Sequence, residues 1–321
     1  MKKMFVPFML ILVLVIGACS NAESGTKTAD IPASKSNESG QTNESGQAAE
    51  SGTITYQSES GPIEVPANPQ RVVILSGYTG DAISLGVNVV GVDSWSMANS
   101  RFKEKLQGAV EVSDENLEKI IELEPDLILG STDAKNLDKL KEIAPTVTFT
   151  YGKVDYLTQH LEIGKVLNKE KEAEAWIDDF KKRAKAFGEE IKAKIGEDAT
   201  VTVLESFDKQ MYIFGDNWGR GTEILYQQMG LKMPEKVKEM ALKDGYYAVS
   251  TEVLPEYVGD YLVISKYAEQ DNSFQETTTY KDIPAVKNGH VFETNANEFL
   301  FNDALTLDYQ LEFFREHFLG N

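Results

Sequence analysis

From about residue 54 onward, short apolar runs alternate with amphipathic segments along the chain. Runs rich in valine, isoleucine and leucine predict four buried strands, at 71–75, 88–92, 126–129 and 146–149. Between them, apolar residues recur at helical spacing and predict three helices, at 81–85, 117–123 and 137–143. This alternation of apolar strands with helices is typical of a parallel sheet that is covered by helices on its faces.

A single long helix is predicted for residues 169–195, where neither a proline nor a strand pattern interrupts the sequence. Its apolar residues recur at steps of three or four and form one stripe: Ala173, Trp176, Phe180, Ala184, Phe187 and Ile191. At 1.5 Å per residue the helix would be roughly 40 Å long, which exceeds the usual length of a domain helix. Two interpretations remain open, a long core helix and a spine that joins two lobes.

The strand and helix pattern restarts after this helix. Strands are predicted at 200–204, 211–214, 261–264 and 290–293, and a helix at 222–229. The sequence therefore predicts an α/β fold of two lobes with mainly parallel sheets. The N-terminal lobe would span residues 54–168 and the C-terminal lobe residues 196–321, with the spine helix between them.

Two segments of the first half have counterparts in the second half. Gly80–Gly86 resembles the helix that runs from Gly221 to Gly230, and Glu124–Leu129 resembles Val258–Val263. The separations within the two pairs are similar, which indicates an internal repeat. Two related lobes on a rigid helix create a cleft, and small ligands commonly bind in such clefts.

The N-terminus has the pattern of a secretory signal. A basic start precedes an apolar run from Met4 to Ile16, and this run is too short to cross a membrane as a helix. Ile16–Cys19 resembles a bacterial lipobox, which predicts a signal peptide at 1–18 and a lipid on Cys19. The alternative is an ordinary signal peptide with an incidental cysteine. The segment that follows, up to residue 53, is rich in Ser, Gly and Glu and predicts a disordered tether.

Composition excludes several classes of function. The formal net charge of −19 opposes contact with phosphates, so nucleic-acid binding is not expected. One cysteine and three widely spaced histidines predict neither a disulfide framework nor a metal site. Catalytic patterns such as Gly-x-Ser-x-Gly and His-Glu-x-x-His are absent, which favours a binding protein over an enzyme. We expect a monomer that is attached to the outer face of the cell membrane by its lipid alone.

The most distinctive segment is a glycine-rich loop between a predicted strand and a predicted helix. This loop, Gly215–Gly221, displays Trp218 and Arg220. The residue types alone favour a structural turn, in which Trp218 covers apolar groups and Arg220 pairs with an aspartate.

This loop resembles the hydroxamate-siderophore-binding lipoproteins of Gram-positive ABC importers, the ferrichrome and ferrioxamine receptors of the class III substrate-binding fold. The likeness extends from about Tyr56 to the C-terminus. It includes four runs found across class III proteins: Pro69–Val73, Glu124–Ile128, Ile143–Val147 and Ala285–Val291. The resemblance implies a ferric hydroxamate siderophore as the ligand, no cofactor, and delivery to a membrane permease.

Carried over residue by residue, the resemblance implies that Tyr212, Trp218 and Arg220 contact the ligand. Iron in such a complex already has six oxygen ligands, so the protein need supply none, while an arginine fork suits the hydroxamate oxygens. Opposite them we expect Tyr78 and Trp95, since each follows a predicted strand, where α/β folds bind ligands. Alternatively, these aromatic side chains merely cover the sheet.

The C-terminal region departs from the pattern of the related receptors. Phe299 and Phe301 stand where ligand-facing aromatic residues are expected, but they lack a hydroxyl group. The exact ligand therefore stays open. A catecholate, carboxylate or haem iron carrier is one alternative, and a surface hydrolase that uses the same cleft is another.

Docking acids are also expected. The repeat places Asp81 and Glu223 at matching points near the starts of two helices. The resemblance implies that one such carboxylate projects from the outer face of each lobe and meets arginines on the permease subunits. The alternative is that each acid only stabilises the first turn of its helix, by about 0.3–1 kcal/mol.

Overall fold

The structure is a computed structural model and describes residues 52–320. The predicted signal peptide, Cys19 and nearly all of the predicted tether lie outside the described residues. The described chain opens with an antiparallel hairpin of β1 (Thr53–Ser58) and β2 (Gly61–Pro66). Tyr56 and Val65 from this hairpin pack into the core of the N-terminal lobe.

The N-terminal lobe is built on five parallel strands in the order β5-β4-β3-β6-β7. The strands are β3 (Val72–Ile74), β4 (Val89–Val92), β5 (Val110–Glu111), β6 (Leu127–Ser131) and β7 (Thr146–Phe149). Its helices are α1 (Thr79–Ser84), α2 (Ser94–Ala98), α3 (Leu117–Glu122) and α4 (Leu137–Ile143). Val72 and Val73 belong to different core clusters, so both faces of the sheet are covered and the strands are apolar throughout.

The C-terminal lobe contains a second five-stranded sheet, in the order β10-β9-β8-β11-β12. Its strands are β8 (Val201–Phe207), β9 (Gln210–Phe214), β10 (Tyr246–Val249), β11 (Tyr261–Lys266) and β12 (Val291–Asn295). Strands β8, β11 and β12 are parallel, whereas β9 and β10 add an antiparallel edge. The expected α/β class with two mainly parallel sheets is confirmed.

The helix expected at 222–229 is a π-helix, Glu223–Gln228. Its wider turn is evident at its end, where the Met229 N–H donates to the Ile224 carbonyl five residues back. Short 3₁₀ turns follow at Leu254–Glu256 and Ser273–Glu276. The α-helices that follow the π-helix in the chain are α7 (Glu235–Ala241), α8 (Thr278–Lys281), α9 (Pro284–Lys287), α10 (Ala296–Phe299) and α11 (Ala304–Leu319).

Two consecutive helices, α5 (Tyr156–Val166) and α6 (Glu170–Ile195), connect the two sheets. Helix α6 is the predicted spine, and it packs against α5 and α11. Its buried stripe is Ala173, Ile177, Phe180, Ala184, Gly188 and Ile191. Gly188 is required in this stripe because a Cβ there would lie 2.4 Å from the Met229 carbonyl oxygen.

In each lobe, an aspartate side chain just before one strand accepts hydrogen bonds from the backbone that leads into the neighbouring strand. Asp126, just before β6, accepts hydrogen bonds from the backbone N–H groups of Gln70 (2.6 Å) and Arg71 (2.9 Å), which lead into β3. Asp260, just before β11, accepts one from the Thr200 N–H (2.8 Å), which leads into β8. This correspondence agrees with the internal repeat.

Candidate ligand-binding cleft

A cavity of about 770 Å³ lies between the two lobes. Its size falls within the roughly 300–1,000 Å³ that is typical of small-molecule sites. Several of the wall segments follow the carboxyl ends of parallel strands in both sheets, the edge where α/β folds bind ligands. They include 76–78, Trp95, 151–156, Phe207, 217–220, Tyr267 and 300–302.

The N-terminal wall presents two of the expected aromatic residues. Tyr78 is buried with its ring edge-on to Phe149 at 5.3 Å, and burial raises the pKa of its phenol to about 12. Tyr78 therefore remains a neutral hydroxyl at physiological pH. Trp95 is 46 % exposed, while Asp93 caps α2 by accepting the Trp95 and Ser96 N–H groups at 3.0 Å each. The cap fixes the backbone and leaves the indole ring available to a ligand.

The C-terminal wall is the glycine-rich loop, which has an unusual backbone. Gly219, Arg220 and Gly221 all have positive φ angles, of 69°, 56° and 82°. A Cβ at Gly219 would lie 2.2 Å from the Leu300 carbonyl oxygen, so only glycine fits. The Arg220 N–H donates to the Phe299 carbonyl at 2.9 Å. These contacts hold Trp218 and Arg220 at the cavity wall.

Arg220 is paired with a buried carboxylate that the sequence analysis missed. Its Nη2 and Nε donate to Oε1 and Oε2 of Glu205 at 2.8 and 3.1 Å, and its Nη1 donates to the Trp218 carbonyl at 3.0 Å. Glu205 also accepts the Ser265 hydroxyl at 2.6 Å. The expected alternative partner was an aspartate. The sequence did contain a signal for Glu205, since it is a charged residue directly after the apolar predicted strand 200–204.

Aromatic rings meet across the cavity. Trp95 lies 6.3 Å from Phe207, and Tyr151 lies 6.0 Å edge-on to Trp218, measured between ring centroids. Phe207 in turn contacts Tyr267 at 5.5 Å. Burial, together with the nearby negative charge of Glu205, raises the pKa of Tyr267 to about 12. Tyr151, Phe207 and Tyr267 were also missed by the sequence analysis, because nothing in their local pattern sets them apart.

Two expected ligand contacts are placed elsewhere. Phe299 is fully buried and packs edge-on against Phe313 at 4.9 Å, so its expected contact with ligand is wrong. Tyr212 does not line the cavity. Its ring contacts Tyr246 at 5.8 Å, and Tyr246 in turn contacts Trp218, so Tyr212 supports the wall from outside the cavity. Phe301 does line the cavity.

The expected docking acid Asp81 is buried at the cavity wall. One of its oxygens, Oδ1, lies 2.9 Å from His160 Nδ1 and accepts the Ala304 N–H at 3.0 Å. The prediction that it projects from the outer face of its lobe is wrong, because α5 and α11 cover α1. Its contacts instead join α1 to the start of α11.

The expected docking acid Glu223 is buried at the same wall. Its Oε1 accepts the Gly219 N–H and the Asn302 side-chain amide, both at 2.9 Å. Burial raises the pKa of its carboxyl. The prediction of an outward-facing carboxylate is wrong here too, because the loop and Asn302 enclose it.

A third buried acid stands beside Asp81. Asp303 caps α11 by accepting the Thr306 N–H at 2.9 Å and the Thr306 hydroxyl at 2.8 Å. Burial, together with the negative charge of Asp81, raises the pKa of Asp303 to about 7. A Cβ on Gly80 would overlap the Asp303 carboxylate, so glycine permits this close approach.

Within residues 52–320, no three His, Cys, Asp or Glu side chains are grouped so that they would hold a metal ion. Nor does any helix in the described part of the chain have the length and apolar character needed to cross a membrane.

Comparisons with known proteins place the chain in a family. Residues 72–298 match the periplasmic binding protein family. The iron(3+)-hydroxamate-binding protein FhuD of Bacillus subtilis (strain 168) is 35% identical over 317 residues, covering 96% of this chain and 95% of FhuD. YxeB of the same strain, also an iron(3+)-hydroxamate-binding protein, is 34% identical over 97% of this chain and 95% of its own length.

A solved structure gives the same result. FhuD2 from Staphylococcus aureus with bound ferrioxamine B matches with a TM-score of 0.75 and 34% identity, covering 78% of this chain and 99% of FhuD2. The chain therefore belongs to the periplasmic binding protein family, whose members are substrate-binding proteins and not enzymes.

Proposed function

We propose that the chain is the substrate-binding component of an ABC importer and captures a ferric hydroxamate siderophore in the inter-lobe cavity. The observation that carries this proposal is the cavity wall, where Trp95 and Trp218 come from opposite lobes and line the same cavity as Arg220. The proposal is supported by the relatives FhuD and YxeB, which are named for iron(3+)-hydroxamate binding, and by FhuD2, which holds ferrioxamine B.

The wall chemistry suits this ligand. A ferric tris-hydroxamate brings all six oxygen ligands of its iron, so it needs surface contact and hydrogen bonds instead of protein ligands. Its hydroxamate oxygens keep partial negative charge and accept N–H donors from arginine. Tryptophan and tyrosine rings supply flat apolar area for the organic backbone of the siderophore. Tyr78 and Tyr267 add neutral hydroxyl groups at the same wall.

The alternative iron carriers fit the cavity less well. A catecholate complex is strongly anionic and calls for several converging cations, whereas the described wall offers only Lys153 and Arg220. Each of these cations already has a carboxylate partner. A hydrolase is not favoured, since the family consists of binding proteins.

The ligand proposal is tested by tryptophan-fluorescence titration of the purified chain. Ferrichrome and ferrioxamine B should quench the emission of Trp95 and Trp218, and a Trp218→Phe variant should lose part of that quenching. The matched control is Trp176→Phe, since Trp176 lies on the spine and does not line the cavity. Quenching by a ferric catecholate and by no ferric hydroxamate would contradict the proposed ligand class.

The membrane attachment proposed for this chain rests on the N-terminal sequence. A lipid on Cys19 would hold the folded body near the outer face of the cell membrane through the Ser-, Gly- and Glu-rich tether. Cys19→Ala should release the chain into the medium or leave it unprocessed, while its ferric hydroxamate affinity stays unchanged. Metabolic labelling with a fatty acid checks this, and a labelled Cys19→Ala chain would overturn the anchor.

Delivery to a permease requires exposed docking points, and the internal repeat offers a pair other than the buried acids. Asp126 and Asp260 occupy equivalent places in the two lobes. Glu118 lies eight residues before the first, and Glu252 lies eight residues before the second; both are exposed. We propose that these two carboxylates meet basic groups on the two permease subunits. Such charge pairs would act mainly on docking rate and register.

The docking proposal separates binding from transport. Glu118→Gln and Glu252→Gln should leave solution affinity for ferrioxamine B unchanged but reduce cellular uptake of its iron, most strongly in the double variant. Glu239→Gln, an exposed glutamate on α7, is the control. Normal uptake in the double variant would exclude these acids as docking points.

A further inference from the structure

Every cation that lines the described cavity wall is paired with a carboxylate. Lys153 Nζ lies 3.0 Å from Glu59, and Arg220 makes two hydrogen bonds with Glu205. The same wall carries three further acids, Asp81, Asp155 and Glu223. The cavity therefore presents hydrogen-bond donors without a net positive charge.

Of the two ion pairs, Arg220–Glu205 has the larger effect on the charge that a ligand meets, because it is the buried pair. Glu205 is 2 % exposed and the Arg220 side chain 13 %, whereas the Lys153 side chain is 52 % exposed. Solvent screens the charge of Lys153 far more than that of the buried pair. A buried arginine without Glu205 would place an uncompensated positive charge beside the ligand.

Glu205 also leaves Arg220 able to bind a ligand. An arginine has five N–H donors, and the two bonds to Glu205 and the one to the Trp218 carbonyl occupy three of them. The two that remain belong to the terminal nitrogens Nη1 and Nη2, on a side chain that lines the cavity. Ser265 holds the Glu205 carboxylate from the neighbouring strand β11.

We propose that Glu205 is the residue that sets the charge selectivity of the cleft: by neutralising Arg220, it makes the cavity accept neutral and cationic ferric chelates and reject anionic ones. This inference rests on the proposed function. The relevant ligands differ in charge by simple chemistry. Three singly charged hydroxamates neutralise Fe³⁺ in ferrichrome, a protonated amine makes ferrioxamine B a cation, and a ferric tris-catecholate is a triple anion.

The test is a titration of the full-length chain in detergent with ferrichrome, ferrioxamine B and ferric enterobactin, a tris-catecholate. Glu205→Gln keeps the shape but removes the charge. It should weaken ferrioxamine B relative to ferrichrome by roughly tenfold, the effect of one unit charge at about 10 Å in an effective dielectric of about 20. It should also produce measurable binding of ferric enterobactin.

Three variants separate charge from positioning. Ser265→Ala removes the hydroxyl that holds Glu205 but keeps the charge, and Glu205→Asp keeps the charge on a shorter side chain. Both should retain the wild-type ratio of the ferrioxamine B and ferrichrome affinities, whatever their absolute affinities. Arg220→Gln leaves the acid unpaired and should shift the ratio in favour of ferrioxamine B. This opposite shift supplies the test if Glu205→Gln does not fold.

The outcomes distinguish the two proposals. A wild-type chain that binds neither hydroxamate would overturn the proposed function. A wild-type chain that binds both, combined with an unchanged ratio in Glu205→Gln, would overturn only the role of Glu205. An equal shift in Ser265→Ala and Glu205→Gln would also overturn it, since the effect would then come from positioning.

Discussion

Trp95 of the N-terminal lobe and Phe207 of the C-terminal lobe face each other across the cavity with ring centroids 6.3 Å apart. Their contact links the end of β4 to the end of β8, so both lobes contribute to one aromatic surface. A ligand that enters the cavity meets this surface on both sides. The pair is therefore a sensitive place to test whether both lobes hold the ligand.

We expect Trp95→Ala to weaken ferrioxamine B binding by about 1.5–3 kcal/mol, the range for burying a large apolar side chain. Trp95→Phe should retain more than half of this free energy because it keeps a ring. Titration calorimetry measures both. Wild-type affinity in Trp95→Ala would show that the N-terminal wall does not contact the ligand.

Arg220→Ala should weaken ferric hydroxamate binding by about 1.5–3 kcal/mol, the range for hydrogen bonds to a charged group. Arg220→Lys should restore only part of it, because an ammonium group lacks the bidentate fork. Arg220→Ala also leaves Glu205 buried without its partner, so the melting temperature should fall. Adding Glu205→Gln should recover stability but not affinity. Unchanged affinity in Arg220→Ala would remove Arg220 from the site.

Gly188→Ala should destabilise the protein by about 1–3 kcal/mol, as overpacking does. Helix propensity alone predicts the opposite, a gain of up to about 1 kcal/mol. The difference arises because the new Cβ would collide with the Met229 backbone. The control is Ala186→Gly, an exposed position on the same helix, which should cost about 0.5–1 kcal/mol. Chemical denaturation checks both, and a stabilised Gly188→Ala would contradict the observed packing.

The contribution of Asp303 to the free energy of unfolding should fall as pH rises from about 4 to about 7. Its folded-state pKa of about 7 lies above the usual 3.8, so the folded state binds a proton that the unfolded chain releases. Asp303→Asn removes this titration and remains a good helix cap. The difference in the free energy of unfolding between Asp303→Asn and wild type should therefore shift in favour of the variant by more than about 1 kcal/mol between pH 5 and 7.5. A shift of one pKa unit corresponds to about 1.4 kcal/mol.

A second helix cap provides the control for this pH dependence. Asp155 caps α5, and hydrogen bonds from Thr158 and Leu157 lower the pKa of its carboxyl despite partial burial. Its contribution to stability is complete above its unfolded-state pKa and is lost only in acid. Asp155→Asn should therefore show no change relative to wild type between pH 5 and 7.5. A flat difference for Asp303→Asn as well would mean that Asp303 is ionised in the folded protein.

Local pattern was sufficient for the elements with the simplest surroundings. The strands at β6 and β7, helix α4 and the spine lie where apolar periodicity placed them, because each is decided by its own buried face. The loop with Trp218 and Arg220 was recognisable because three glycines, Trp218 and Arg220 stand together directly after a predicted strand. The π-helix was not, since its wider turn leaves no signature in the spacing.

The failures share one physical cause, which is contact between segments distant in the chain. The sequence predicts that Asp81 is an exposed acid in the first turn of its helix, but in the structure His160 and Ala304 cover it. The sequence predicts that Phe299 contacts the ligand, but in the structure its ring packs against α11. Glu205 was missed because its role depends on Arg220, fifteen residues away. Such pairings are set by how the lobes pack, and the local sequence pattern does not contain them.

The most direct test of the central claim is to locate the iron. Crystals of the chain grown with ferrioxamine B should give one anomalous peak at the iron absorption edge, inside the cavity between Trp95 and Trp218. Hydroxamate oxygens should then lie about 2.7–3.2 Å from the terminal nitrogens of Arg220. A peak elsewhere on the protein, or no iron in crystals from a saturating solution, would contradict the account.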